Sequence, residues 1–236
     1  MNYDNPAARL LAILDAGRME PPTSSCRAVW KKLLAVSDDQ ALLMSRLGKV
    51  MELPLLTVQA IKERYPDQGN SWTHWEGQVN VALTTQNLNG EWKTFIGHID
   101  DHTLNYLRIT SDLLQAKSNT KLIVDNDLSS IRERLDAILG EVLNSDASDE
   151  IKKYLVRNLR KIITAIDEYR LTGAIELLDV VETTLGHAFV DKSYKSFLTD
   201  TELGRRIIET LGATADVITV AVGLPQLSAA IAMIAG

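Results

Sequence analysis

The chain has 236 residues, 45% hydrophobic and 24% charged, a composition that suits one large or two small folded domains and excludes disorder throughout. With 25 Lys and Arg against 31 Asp and Glu, the formal charge is −6, which favours solubility and disfavours nonspecific affinity for phosphate backbones. No nucleic acid partner is expected. The lone Cys26 excludes an internal disulfide, and the N-terminal MNYDNPAARLLAILDAG lacks the basic start and long apolar core of a secretory signal, so a cytoplasmic location is expected.

Helical spacing dominates from the start. Asn5 before Pro6 is a cap followed by a residue pre-set for the first helical position, and Leu10, Leu11, Ile13 and Leu14 precede Gly17, where this first helix is expected to end. After Pro21 and Pro22, Ser24 or Ser25 can cap a helix bearing Val29, Trp30, Leu33 and Leu34. Ser37 with Gln40 matches a capping box ahead of Leu43, Leu47, Val50 and Met51, and a fourth helix is expected from Pro54 to about Tyr65.

Past the polar break at 67–70, Trp72, Trp75, Val79 and Leu83 fall at helical steps, and past 87–90 so do Trp92, Phe95, Ile96 and Ile99, then Leu104, Leu107 and Leu114. Residues 117–127, KSNTKLIVDND, lack period and mark the expected boundary. Behind them Leu128, Ile131, Leu135, Ile138, Leu139 and Val142 form one stripe, and Ile151, Tyr154, Leu155, Leu159, Ile162, Ile163 and Ile166 a second, joined by a turn short enough for an antiparallel hairpin. Gly173 closes the second, a third carries Ile175, Leu178, Val181, Leu185 and Phe189, and a last helix begins near 199–202. The expected class is all-α: a short-helix bundle followed by a long antiparallel hairpin or bundle. The expected division is an N-terminal sensing or binding region at 1–120, a helical bundle at 128–216 and an apolar helix at 217–236.

That last segment, VITVAVGLPQLSAAIAMIAG, holds no charged side chain. It is long enough for a helix to cross a hydrocarbon core of roughly 30 Å, and equally suited to a buried or oligomeric interface. In either case Val217, Val220, Val222, Leu224, Leu227, Ile231, Met233 and Ile234 are the contact residues. Pro225 interrupts the run, which favours conditional insertion over a permanent anchor.

Four further features have a chemical and a structural reading. Lys152, Lys153, Arg157, Arg160 and Lys161 form a basic stripe that can meet anionic headgroups or an acidic partner, or be neutralised by Glu133, Asp136, Glu141, Asp146, Asp149 and Glu150. His98 and His102, four apart, would share a helix face and could begin a metal site if His74 or Asp112 joined them. Trp72, Trp75 and Trp92 can line a pocket or anchor a core. Cys26 beside Arg27 can be activated or inert. No P-loop, dinucleotide fingerprint, nucleophile elbow or kinase signature occurs, so no catalytic residue and no cofactor is assigned.

The NPAARLLAIL start, the IKKYLVRNLRKIITAIDEYR helix and the hydrophobic C-terminus together resemble uncharacterised bacterial all-helical proteins of the accessory and phage-defence type. The resemblance implies a bacterial origin and a role in antiviral defence, and it carries over no site residues. The leading expectation is a non-enzymatic interaction or effector protein acting through a conditional membrane-associating C-terminus, at the inner membrane. The alternative is a soluble adaptor or regulator that buries this segment in its core or a homo-oligomer interface, and a third reading is a metal-dependent enzyme using His98 and His102.

Overall fold

The computed structural model describes residues 3–118 and 120–223; they are all-α, with one isolated bridge between Ser25 and Glu91. The chain divides into two compact units, Met1–Asn119 and Thr120–Gly236.

In the first unit, α1 (Pro6–Arg18) starts where the Asn5 side chain accepts the Ala8 N–H at 2.9 Å, the cap expected from sequence. It packs against α3 (Gln40–Arg64) and α6 (Asp101–Ala116), while α2 (Cys26–Leu33), α4 (Thr73–Thr85) and the single turn α5 (Lys93–Ile96) complete the layer around it. Asn5 also donates from Nδ2 to the Ser111 carbonyl at 3.3 Å, so one side chain starts α1 and ties it to α6.

Three local expectations are corrected. The helices expected on either side of Pro54 are one continuous helix, α3, and its cap is Asp39, accepting the Leu42 N–H at 2.9 Å, rather than Ser37. Proline gives no N–H to the preceding turn, yet Leu43, Leu47, Val50, Leu53, Val58 and Ile61 bury one face along the whole length. Burial of each such side chain stabilises by about 1.5–3 kcal/mol, enough to carry the helix through a break of about 3 kcal/mol. Gly17 does not terminate α1 either. It lies inside the helix, where an added Cβ would stand 2.9 Å from Cζ2 of Trp92, and its carbonyl accepts the Trp92 indole N–H at 2.8 Å. Its smallness admits the tryptophan.

In the second unit, α7 (Asp125–Asn144), α8 (Asp149–Asp167), α10 (Ala174–Gly186) and α12 (Glu202–Val222) form a closed ring in which α7 meets α8, α8 meets α10, α10 meets α12 and α12 meets α7. The short α9 (Tyr169–Thr172) joins α8 to α10, and α11 (Lys192–Asp200), not foreseen from the sequence, leads into α12. Side-chain bonds fix the directions. Arg132 near the start of α7 reaches Asp167 at the end of α8 at 2.7 Å; Tyr154 near the start of α8 reaches the Thr183 carbonyl near the end of α10 at 3.1 Å; Arg206 near the start of α12 pairs with Glu141 near the end of α7. All neighbours are therefore antiparallel, an up-down-up-down four-helix bundle. Its core runs from Ile123 and Leu128 through Leu135, Leu159, Ile162, Leu177 and Val181 to Ile207, Leu211 and Ile218.

The ring closes tightly where α11 turns into α12. A Cβ on Gly204 would stand 2.2 Å from the Phe197 carbonyl oxygen and 2.6 Å from Cα of Leu198, whereas Gly140 in α7 faces open space. Replacing Gly204 by alanine forces backbone apart and is expected to destabilise by about 2–3 kcal/mol. Gly140→Ala is expected to stabilise by about 0.5–1 kcal/mol through helix propensity alone. Urea unfolding of the two variants checks the pair, and a Gly204→Ala protein as stable as the parent would contradict the packing described.

Candidate functional site

α8 begins at Ser148, whose hydroxyl accepts the Ile151 N–H at 3.4 Å, and Asp149 and Glu150 in its first turn complement the helix dipole. Leu155, Leu159, Ile162, Ile163 and Ile166 bury the inner face, which turns Lys153, Arg157, Arg160 and Lys161 outward and leaves Lys152 at the half-buried margin. The neutralising pairs expected for this stripe do not form. Among the described residues none of these five cations has an ion pair: Asp136 goes to Arg132 and Glu141 to Arg206, while Arg157 lies 5.5 Å above the Tyr154 ring. Five uncompensated cations on one helix of a net-acidic chain concentrate positive potential on that face. Between α8 and α10 the face opens into a groove of about 320 Å³ lined by Arg157, Arg160, Lys161 and Thr164, with Ala165 and Val180 as its apolar floor and Glu176 on its wall.

The described part of the apolar segment is the end of α12 and not a separate helix. Val217 and Val222 are half-buried against the core of the second unit, Val220 is 67% exposed, and Ile218 and Ala221 between them are buried. The helix ends at Gly223, which takes the left-handed conformation with φ 71°. Leu224, Leu227, Ile231, Met233 and Ile234 lie outside the described residues. No helix among the described residues is long and apolar enough to cross a membrane.

In the first unit the chain breaks between the two histidines proposed as a pair. α6 is capped by Asp100, so His102 lies on the helix and His98 before it, its Nε2 3.3 Å from the Thr85 hydroxyl. His102 instead meets His74, with ring centroids 6.3 Å apart, and His74 also faces Tyr106 at 6.0 Å. Together with Gln68, Ser71, Thr73, Ile109, Thr110 and Leu113 they line a pocket of about 560 Å³. Asp100 holds its Oδ1 3.5 Å from His74 Nε2 and accepts the Thr103 N–H at 2.6 Å; that backbone bond foremost lowers its carboxyl below the usual range. Among the described residues no group of three or more His, Cys, Asp or Glu side chains could hold a metal ion, and no hydroxyl or thiol is hydrogen-bonded to His74. Among the described residues the arrangement contains no paired nucleophile.

Trp72, Trp75 and Trp92 are buried, Trp92 in an aromatic cluster with Trp30 at 5.2 Å and Phe95 at 4.8 Å. They anchor the core of the first unit and do not share a pocket. Cys26 is fully buried, and burial pushes its thiol pKa up despite the neighbouring Arg27, whose guanidinium is taken by Gln40 at 2.7 Å and Asn89 at 2.9 Å.

Comparison with protein-family models, with curated proteins and with solved structures finds no match.

Two measurements probe these sites. Changing Lys152, Lys153, Arg157 and Arg160 together to glutamine is expected to alter stability by no more than about 1 kcal/mol, because none is paired. The same change should weaken binding to anionic vesicles and flatten its salt dependence; unchanged binding would remove headgroups as the partner. Asp100 and Asp191, each capping a helix, both have lowered pKa values led by a backbone N–H, from Thr103 and Tyr194 respectively. Their contribution is present above the unfolded carboxylate pKa of about 3.9 and is lost as pH falls through the lower folded values. A D100N/D191N variant keeps the caps without that titration, so its melting temperature should fall less steeply between about pH 5 and pH 2 than the parent's.

Proposed function

We propose that the chain is a non-enzymatic helical interaction protein in which the first unit binds a partner and the second carries the response to a membrane surface through the apolar sequence beyond Gly223. The observation that supports this is how α12 is used. The four-helix ring is closed by side chains up to Ala221, α12 ends at Gly223, and the uncharged sequence continues for another thirteen residues. An uncharged, mostly apolar stretch of that length suits an interfacial or re-entrant segment. The unpaired cations of α8 fit the same setting, since anionic lipid attracts such a face. The resemblance to bacterial proteins of the phage-defence type supplies the biological context, a cytoplasmic protein that acts on the inner membrane.

A second reading is a soluble adaptor that joins copies of itself through the end of α12, and the exposed Val220 favours it. One experiment separates the two. The cut must follow Gly223, because removing 217–236 would also take Ile218 and Ala221 from the core. Full-length protein is expected to float with neutral phosphatidylcholine vesicles, and a chain lacking residues 224–236 to stay in the aqueous phase with its helical circular dichroism intact. Failure of the full chain to float, or equal flotation of both, would overturn the membrane reading. A fall in molar mass on truncation, measured by light scattering with no change in flotation, would install the adaptor.

A further inference from the structure

The end of the bundle formed by the finish of α10 and the start of α8 carries a protruding apolar tip. The periodicity that runs through Leu178, Val181 and Leu185 assigns Phe189 to the buried stripe; α10 instead stops at Gly186, and a single 3-10 turn, His187–Phe189, follows. Ala188 is buried, while Phe189 and Val190 are 61% and 80% exposed. Two adjacent large apolar side chains at that exposure are costly in water, and here their base is held fixed. His187 stacks on Tyr154 with centroids 3.9 Å apart and planes within 17°, and its Nε2 lies 3.4 Å from Asp191. Tyr194 packs edge-on to Tyr154 at 5.0 Å and donates its hydroxyl to the Thr184 carbonyl at 3.2 Å. Asp191 caps α11 by accepting the Tyr194 N–H at 3.0 Å, so the chain is pinned on both sides of the tip.

Two lysines lie against that tip, and three more cations stand on the helix that supports it. Lys192 and Lys195 share a groove of about 230 Å³ with Ala188 and Phe189. Tyr154, on which His187 rests, sits in α8 directly after Lys152 and Lys153 and beneath Arg157. None of these five cations has an ion pair among the described residues. Carboxylates on the elements that meet here include Asp191, engaged with His187 and the α11 cap, Asp149 and Glu150 in the first turn of α8, and the exposed Glu182 of α10; Asp167, Glu176, Asp179 and Asp200 lie farther along the same helices.

We propose that this end of the second unit docks onto an anionic lipid surface, with Phe189 and Val190 entering the headgroup boundary and Lys192, Lys195, Lys152, Lys153 and Arg157 meeting lipid phosphates and carboxylates. A protruding apolar pair flanked by lysines matches a deformable, negatively charged interface, where apolar burial and electrostatic attraction add. An acidic peptide would satisfy the cations and leave both apolar side chains in water. The inference rests on the membrane reading and is separable from it, because the tip and Gly223 stand at opposite ends of the bundle: the Lys121 N–H bonds to the Ala221 carbonyl at 2.7 Å beside the start of α7, whereas Tyr154 meets the finish of α10. A bundle helix of about twenty residues sets roughly 30 Å between those ends.

The test uses the full chain, sedimented with vesicles of phosphatidylcholine alone and of phosphatidylcholine with phosphatidylserine in equal parts, at low and at physiological salt. The parent is expected to bind the serine-containing vesicles more tightly, with an increment that shrinks as salt rises. F189S/V190S should reduce binding to the serine-containing vesicles about tenfold, and K192E/K195E should reduce the increment about tenfold or more, both with melting temperature unchanged. Undiminished binding of F189S/V190S to the serine-containing vesicles, or an increment that persists in K192E/K195E, would overturn the tip. So would a change in sedimentation-equilibrium mass in F189S/V190S with lipid binding intact, which would make the tip a contact between copies. Loss of binding to neutral vesicles alone counts against the sequence beyond Gly223 and leaves the tip standing.

Discussion

Closure of the four-helix ring by α12 is the constraint on which the second unit depends. Without it, α7 and α10 would each present an open apolar face, and the Ile207, Leu211 and Ile218 positions that fill the centre would be lost. The geometry leaves little freedom, since α12 begins so close to the last turn of α11 that only glycine fits at 204. α12 therefore serves two ends at once. Its inner face is buried in the core as far as Ala221, while Val220, in the same uncharged stretch, faces outward.

The same closure sets the cationic face of α8 apart from the end of α12. In the ring, α8 has α7 and α10 as neighbours and lies across from α12, so the cationic face and the end of α12 look in different directions. The cationic stripe and the described end of the apolar sequence, close to one another in chain order, lie on different helices of one bundle.

Much of the fold was legible because helical periodicity and caps are local. The stripes of α7 and α8, the Asn5 cap and the break at Gly173 all stand in the structure where spacing placed them. What escaped the sequence was set by distant contacts. Pro54 reads as a helix start until burial on both sides of it is known, and Gly17 reads as a stop until Trp92, far along the chain, is seen to need its space. His98 and His102 look like a pair at helical spacing, but Asp100 caps a new helix between them and His74 arrives from α4. Phe189 continues an apolar period by sequence alone; the signal against burial was Gly186 followed by a histidine and a lysine-rich stretch, a weak mark of the turn that exposes it.

The bond from the Lys121 N–H to the Ala221 carbonyl places the entry and the exit of the second unit side by side. A bundle threaded in this way is a loop whose two ends meet, and tension applied between them does not shear the whole core. It falls first on one hydrogen bond and the final turn of α12, where Val220 and Val222 are already partly exposed, and opens the helix one turn at a time from that end. Mechanically, the second unit is a clasp: heat must melt the ring as a whole, whereas a pull on the segment that follows Gly223 opens it from one end.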